Sequence, residues 1–324
     1  MTIFGYHASH EQHSPRDLLA YVQLAQRAGF EAAMCSDHFH PWMPVQAQSG
    51  FAWSWLGAAL QATALSFGCV NAPGWRYHPT IIAQAAATLA QMYPDRFWLA
   101  VGSGEDLNEH IIGQPWPEKS ERNERLLESV NVMRALWAGE TVTHHGHIDV
   151  EEAKLYTHPD RPPLIYGAAL SEETARWVGS WADGLITVSM PDEEFRKMLR
   201  AFREGGGEHK PVKVQAALGW APTEREAREA THQHWAGNLI GKDKLANLRM
   251  PEDFAAAAGA ISMDDVIERM PVSSDPLFHF QDLRRYIEYG VNEVYLFNVT
   301  PFQREFIEVF GKHVLPAFSE SSHR

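Results

Sequence analysis

Short runs of β-branched and aromatic residues alternate along the chain with longer stretches whose apolar residues recur at helical spacing. A Gly, Ser, Asp or Pro break separates most of them. Strands are predicted over residues 3–8, 32–36, 67–71, 97–101, 164–168, 184–188, 212–219 and 293–299. The first helix opens at Ser14-Pro15, an N-cap followed by proline at the first helical position, and closes at Gly29. Further helices are predicted over 51–64, 79–93, 121–137, 192–204 and 301–315, with one capped by Ser171 and ending at Trp181 and one beginning near Thr223. Two segments break the rhythm. Residues 139–149 (GETVTHHGHID) read as a hairpin, and residues 236–275 as a helical insertion between strands seven and eight.

Eight strands alternating with helices predict an α/β fold, a (β/α)8 TIM barrel, with residues 1–324 forming one domain. The competing doubly wound fold carries a glycine fingerprint directly after strand one. Here strand one runs into HASHEQHSP, which contains no glycine.

Composition narrows the class. The chain of 324 residues is 45% hydrophobic and long enough to bury a large core without disulfides or a structural metal. Its two cysteines, Cys35 and Cys69, lie in apolar runs, which fits a reducing cytosol. No apolar run reaches membrane-spanning length, and the first dozen residues lack the features of a signal peptide. A formal charge of −13 disfavours phosphate backbones, so nucleic acid is not an expected partner. Together these features predict a cytoplasmic enzyme acting on a small molecule.

In such a barrel the chemistry sits at the carboxyl ends of the strands. His7 and Glu11 follow strand one, and Asp37, His38, His40 and Trp42 follow strand two. Asn71, Trp75, Arg76, Tyr77 and His78 follow strand three, and Gly102, Ser103, Gly104, Glu105, Asn108 and Glu109 follow strand four. His38, with the carboxylate of Asp37 beside it, is suited to base work near neutral pH. Trp42 offers a face for a ring or a cation. The two glycines let backbone approach a ligand closely, and Glu105 after them becomes an acid if its walls are apolar. His38 with His40, or His144, His145 and His147, offer an alternative metal site. The second cluster falls on the hairpin, away from the mouth, and reads as a solvated turn; no metal is expected.

Three stretches carry a resemblance: SDHFHPW, RYHPTIIAQAAATLAQMYPDRFWLAVGSGEDLNEH and ERLLESVNVMRALWAGE. They are similar to the luciferase-like superfamily of flavin and deazaflavin enzymes, and most to the group of F420-dependent glucose-6-phosphate dehydrogenases. The likeness is close to about residue 140 and persists through GAALSEETARWVGSWADGLITV. It implies a TIM barrel with a flavin-like ring at its mouth, in a homodimer. It implies His38 as the base that takes a hydroxyl proton, Trp42 beside the substrate, Glu105 handling the ring-nitrogen proton, and Asp37 lining the ring. It places a non-prolyl cis peptide at Cys69-Val70 behind the ring. Gly102, Ser103, Gly104 and Asn108 match the loop along the cofactor, and Ala168, Ala169 and Ser171 the site of its tail phosphate.

Two departures limit what the resemblance implies. The sugar-phosphate enzymes hold the substrate phosphate with lysines after strand six and in the insertion, and an arginine further on. Here those stretches read Val188-Ser189-Met190-Pro191 and Phe254-Ala255-Ala256-Ala257-Ala258, with no cation. A less charged substrate and a more apolar pocket, Met190 included, are expected. The sequence also resembles an offshoot that uses FMN in place of F420. FMN or F420 therefore remain alternative cofactors, and hydride transfer, FMNH2-dependent monooxygenation and non-catalytic flavin binding alternative functions.

Overall fold

The computed structural model describes residues 2–321. Its first half runs β1 (Ile3–Ala8), α1 (Pro15–Arg27), β2 (Ala32–Ser36), α2 (Ala52–Ala62), β3 (Ser66–Asn71), α3 (Pro79–Met92), β4 (Phe97–Val101), a short α4 (Asp106–Glu109) and α5 (Lys119–Trp137). A hairpin follows, β5 (Val142–His145) and β6 (Asp149–Ala153). Then come β7 (Ile165–Ala168), α6 (Glu172–Trp181), β8 (Gly184–Val188), α7 (Asp192–Phe202) and β9 (Val212–Leu218). The chain ends with α8 (Glu224–Trp235), α9 (Lys242–Leu245), α10 (Pro251–Ala258), α11 (Met263–Arg269), α12 (Pro276–Glu288), β10 (Glu293–Asn298), α13 (Gln303–His313) and α14 (Leu315–Ser321).

Eight strands close a parallel barrel in the order β1-β10-β9-β8-β7-β4-β3-β2. The pairing is in sequence order once the hairpin is set aside, as short right-handed crossovers require. Helix starts follow local chemistry. Ser14, Ser171 and Thr223 each accept a backbone N–H of the first turn, and Pro15 and Pro79 occupy first-turn positions where no N–H is needed. Helix α8 is the one expected from near Thr223, and α9 to α11 fall within the expected insertion. Helix α12, introduced by the Asp275 cap and Pro276, returns the chain to β10; the periodicity reading assigned residues 276–288 to no element.

The floor of the barrel is packed by large aromatics against missing side chains. A Cβ on Gly68 would lie 2.0 Å from the Trp98 ring, and one on Gly5 2.5 Å from Tyr295. Buried Lys213 is ion-paired with Glu293 and stands 4.3 Å from the Trp98 ring centroid and 4.6 Å from that of Tyr166. Burial draws its pKa down while Glu293 opposes the shift. With the floor closed, ligands can approach only from the carboxyl ends of the strands.

Cys35 and Cys69 are both free and buried, as register partners on β2 and β3. The Cys69–Val70 bond is trans, like every peptide bond among the described residues, which corrects the expected cis geometry. The strand stays extended and paired through this point, with Cys69 opposite Leu99 and Val70 opposite Ala100. A non-prolyl cis bond would cost about 3 kcal/mol and break that ladder.

Three histidines, His7, His13 and His279, have their pKa lowered to about 4, chiefly by burial. An unfolded histidine titrates near 6.5, so below that pH the unfolded chain takes protons the fold refuses. Their contribution is full above about pH 6.5 and is lost as pH falls towards 4. His279→Gln should therefore shrink the loss of unfolding free energy between pH 7.5 and 5.0 by about 2 kcal/mol. Denaturant titrations at the two pH values measure it, and an unchanged loss would contradict a neutral buried His279.

Candidate active site

The carboxyl ends of β1 to β4 carry the polar cluster. His38 lies just past β2, with its Nε2 3.5 Å from Glu11 Oε1 and 3.9 Å from Glu105 Oε2. Its Nδ1 is 3.3 Å from the His40 carbonyl and 3.2 Å from the Asn108 amide nitrogen. One neighbour accepts and the other donates, so the ring can carry its proton on either nitrogen, which suits a group that exchanges protons. Asn108 also fixes the loop by accepting the N–H of Phe39 at 2.9 Å and of His40 at 3.3 Å. The Trp42 ring stands 4.8 Å from that of His38.

The two carboxylates flanking His38 are driven apart in acidity. Burial alone would raise Glu11, but His38 and the Ser36 hydroxyl, 2.5 Å from Oε2, outweigh it and hold the pKa below the usual value. The Ser9 hydroxyl donates to the same oxygen at 2.8 Å. Glu105 goes the other way: burial raises it and His38 only partly offsets that, with the charge of Glu11 adding to the rise. Its side chain is still 30% accessible, so solvent screens part of this shift. Opposed shifts at neighbouring carboxyls separate an ionised group from one able to carry a proton.

The carboxylate that faces His38 is that of Glu11, and not that of Asp37 as adjacency in sequence suggested. Successive side chains at a strand end point opposite ways. Asp37 is 4% exposed, and its Oδ2 accepts from Asn71 at 2.7 Å and the Trp53 indole at 3.3 Å. Its Oδ1 accepts from the Tyr77 hydroxyl at 3.2 Å and pairs with Arg76 at 3.4 Å. Arg76 also donates to the Asp37 carbonyl and to Glu109, 2.5 Å away. Burial pushes the pKa of Glu109 up to about 7 while Arg76 pulls against it; the close pair with Arg76 favours the ionised form. Glu11, Arg76 and Glu109 stood among the polar residues after the strands but were given no role there, because only contact geometry distinguishes them.

Beside this cluster lies an open apolar ledge. Val70, Gly102 and Ala168 mark the ends of neighbouring strands β3, β4 and β7, and a Cβ on Gly102 would stand 3.6 Å from that of Ala168. Gly104 has φ +87°, and a Cβ there would press within 3.1–3.3 Å of Trp116, Glu109 and Trp75. Backbone alone fits at Gly104, with Ser103 before it, and a planar ring could lie along the ledge. Ala169 is buried, and Ser171 caps α6.

Behind Trp42 packs an apolar cluster that includes residues of the insertion. Phe254 of α10 packs edge-on against Trp42 at 5.4 Å, and Trp235 against Phe297 at 5.0 Å. Met190, expected in this pocket, is instead buried in the layer between strands and helices. The histidines of the hairpin pair with carboxylates: His144 with Glu128 at 3.0 Å, His147 with Glu124 at 3.0 Å, and His145 with Asp149 at 3.1 Å.

Removing Asp37 leaves Arg76 buried with one carboxylate in place of two. Asp37→Ala should cost about 3 kcal/mol in a urea titration, the scale for breaking a buried pair. A variant as stable as the parent would show that Glu109 suffices.

Comparison with known proteins extends the likeness over the whole chain. An F420-dependent glucose-6-phosphate dehydrogenase of Beutenbergia cavernae is 35% identical over 327 residues, covering 98% of this chain and 97% of the relative. The solved structure of an F420-dependent secondary alcohol dehydrogenase, in complex with an F420-acetone adduct, is 33% identical. It covers 98% of both chains with a TM-score of 0.89. The F420-dependent tetrahydromethanopterin reductase of Methanopyrus kandleri, 20% identical with a TM-score of 0.79 and covering 98% of this chain and 99% of its own, shares the fold. The luciferase-like monooxygenase family model matches residues 2–293, and the chain belongs to that family.

Proposed function

We propose that this chain, an oxidoreductase of the luciferase-like type, moves a hydride between a small alcohol lacking phosphate and a flavin or deazaflavin ring. The observation that carries the reading is His38 set between an ionised Glu11 and a Glu105 able to hold a proton. The ring, when bound, supplies the hydride acceptor. His38 takes the hydroxyl proton as the carbinol hydrogen leaves with its electron pair, and the substrate becomes a carbonyl. Glu11 balances the imidazolium that forms, and the His40 carbonyl can accept from its Nδ1. Glu105 exchanges the proton at the ring nitrogen. Trp42 offers a half-buried apolar face to the substrate, and fully buried Phe254 packs behind it.

Charge supports a substrate without phosphate. Arg76 is taken up by Asp37 and Glu109, and Arg285 by Asp192 at 3.0 Å, Asp282 at 3.6 Å and the Tyr286 hydroxyl at 3.0 Å. Phe254, with its alanine neighbours, stands in the stretch where the resemblance expects a lysine. Holding a phosphate dianion without charge-assisted bonds would forfeit several kcal/mol, about 1.5–3 per bond.

A second reading, oxygen activation by reduced FMN, is favoured by the description of the matched family model, a monooxygenase. Parallel fluorescence titrations of the protein with FMN and F420, followed by oxygen uptake during turnover, separate the two. Preference for F420 with activity retained without oxygen supports hydride transfer; oxygen uptake matching product supports monooxygenation. His38→Ala should lower turnover about a hundredfold or more, with cofactor affinity largely kept. Undiminished turnover would remove His38 from the chemistry.

A further inference from the structure

The barrel's inward-facing rows continue one layer above its floor. Side chains two apart on a strand face the same way. His7 therefore follows Gly5, Gln215 follows Lys213 and Phe297 follows Tyr295 into this upper layer. These residues stand on β1, β9 and β10, across the mouth from the ledge of Val70, Gly102 and Ala168. A ring on the ledge leaves this side to the part of the substrate beyond its carbinol. Phe297 and half-buried Ala217 give it apolar surface.

His7 and Gln215 form a polar pair within this layer. His7 is buried, its ring 4.4 Å from that of Phe297, and its Nε2 lies 3.3 Å from the Gln215 amide nitrogen. Burial lowers the His7 pKa to about 4, with Glu11 opposing the shift and His10 and His38 adding to it. The ring is neutral near pH 7, so its Nε2 accepts the amide N–H and its own proton sits on Nδ1. That Nδ1 is buried and has no hydrogen-bond partner among the described residues. A ring that forgoes one hydrogen bond while holding an amide at its other nitrogen fixes the direction of that amide. Gln215 is half-buried, and its Oε1, turned from His7, has no partner among the described residues and keeps contact with solvent. The mouth thus presents an oriented, uncharged acceptor beside a ring that feels the charges of Glu11 and His38.

We infer that Gln215 is a specificity-determining residue: its amide oxygen accepts a hydrogen bond from a second hydroxyl of the substrate, and His7 positions it. This rests on the reading of hydride transfer from a small alcohol, and it narrows the substrate class to neutral diols and polyols. An uncharged acceptor in an uncharged layer suits a hydroxyl. A monohydric alcohol would set apolar carbon against the amide oxygen and remove the hydrogen bond that water gives it in the free enzyme.

Three alcohols that share one carbinol test the assignment: propane-1,2-diol, propan-2-ol and 1-methoxypropan-2-ol, whose ether oxygen accepts but cannot donate. Anaerobic turnover would be followed by the loss of ring absorbance, with whichever of FMN and F420 the protein binds. In the parent, kcat/KM should be about tenfold higher for the diol than for either of the others, with the difference carried by KM. Gln215→Met should bring the ratio of diol to propan-2-ol to within about twofold of unity. His7→Phe, which keeps a ring against Phe297 but frees the amide, should leave a ratio of about threefold. A ratio taken within one protein cancels any general loss of activity, and thermal melting checks that each variant folds. Should neither fold, the parent's ranking of the three alcohols decides alone. Equal kcat/KM for all three, an ether as good as the diol, or a preference that survives Gln215→Met would overturn the role of Gln215 and leave the proposed hydride transfer standing. No turnover of any of the three with either cofactor would defeat the proposed function and the role of Gln215 with it.

Discussion

One buried guanidinium, that of Arg76, holds the reactive end of the barrel together. It reaches Asp37 after β2 and Glu109 in α4, while Asp37 is itself held by Asn71, Trp53 and Tyr77. The loops after β2, β3 and β4 therefore share one set of charges that cannot separate without stranding an ion in apolar surroundings. A buried ion pair is weak evidence of net stability, but breaking it is expensive, so it fixes geometry well. The His38 backbone follows directly from the residue so fixed. Asn108 secures the next two residues through their N–H groups.

That rigidity lets a small difference in surroundings become a division of labour. Glu11 and Glu105 both approach Nε2 of His38, at 3.5 and 3.9 Å. Hydroxyls and the imidazole hold the first below its usual pKa, whereas burial outweighs the imidazole at the second and raises it. Identical side chains are thus shifted in opposite directions, and a looser frame would average their environments and erase the distinction. The same logic sets the pocket's two walls against each other. One is a ledge of Val70, Gly102 and Ala168, bare enough for a planar ring; the other is the face of Trp42, backed by buried Phe254 of the insertion.

How much of this is legible without coordinates differs by element. Strands 3–8, 32–36, 97–101 and 184–188 were expected at the bounds observed, because each is a short buried run between strong breaks. Helix α12 went unassigned because it follows the helical insertion and only its Asp275-Pro276 start marks it off. The hairpin was recognised, but β6 extends to Ala153, since its exposed alternation of Val150 with glutamates gives a weak strand signal. Among site residues, His38, Trp42, Glu105 and Asn108 do gather at the mouth. Asp37 is near in sequence but turned away. Glu11 is brought close to His38 by the parallel pairing of β1 with β2.

The sequence by itself determined the parallel barrel, the strand ends at which the polar cluster gathers, and the family, because these depend on periodicity, local breaks and long motif runs. It also determined that residues 188–191 and 254–258 carry no cation. Only the tertiary structure decided which carboxylate faces His38 and that Arg76 is already paired. Those are properties of distance and burial between residues tens of positions apart, and the energies that set them, Coulombic attraction and desolvation, exist only once the chain has closed on itself.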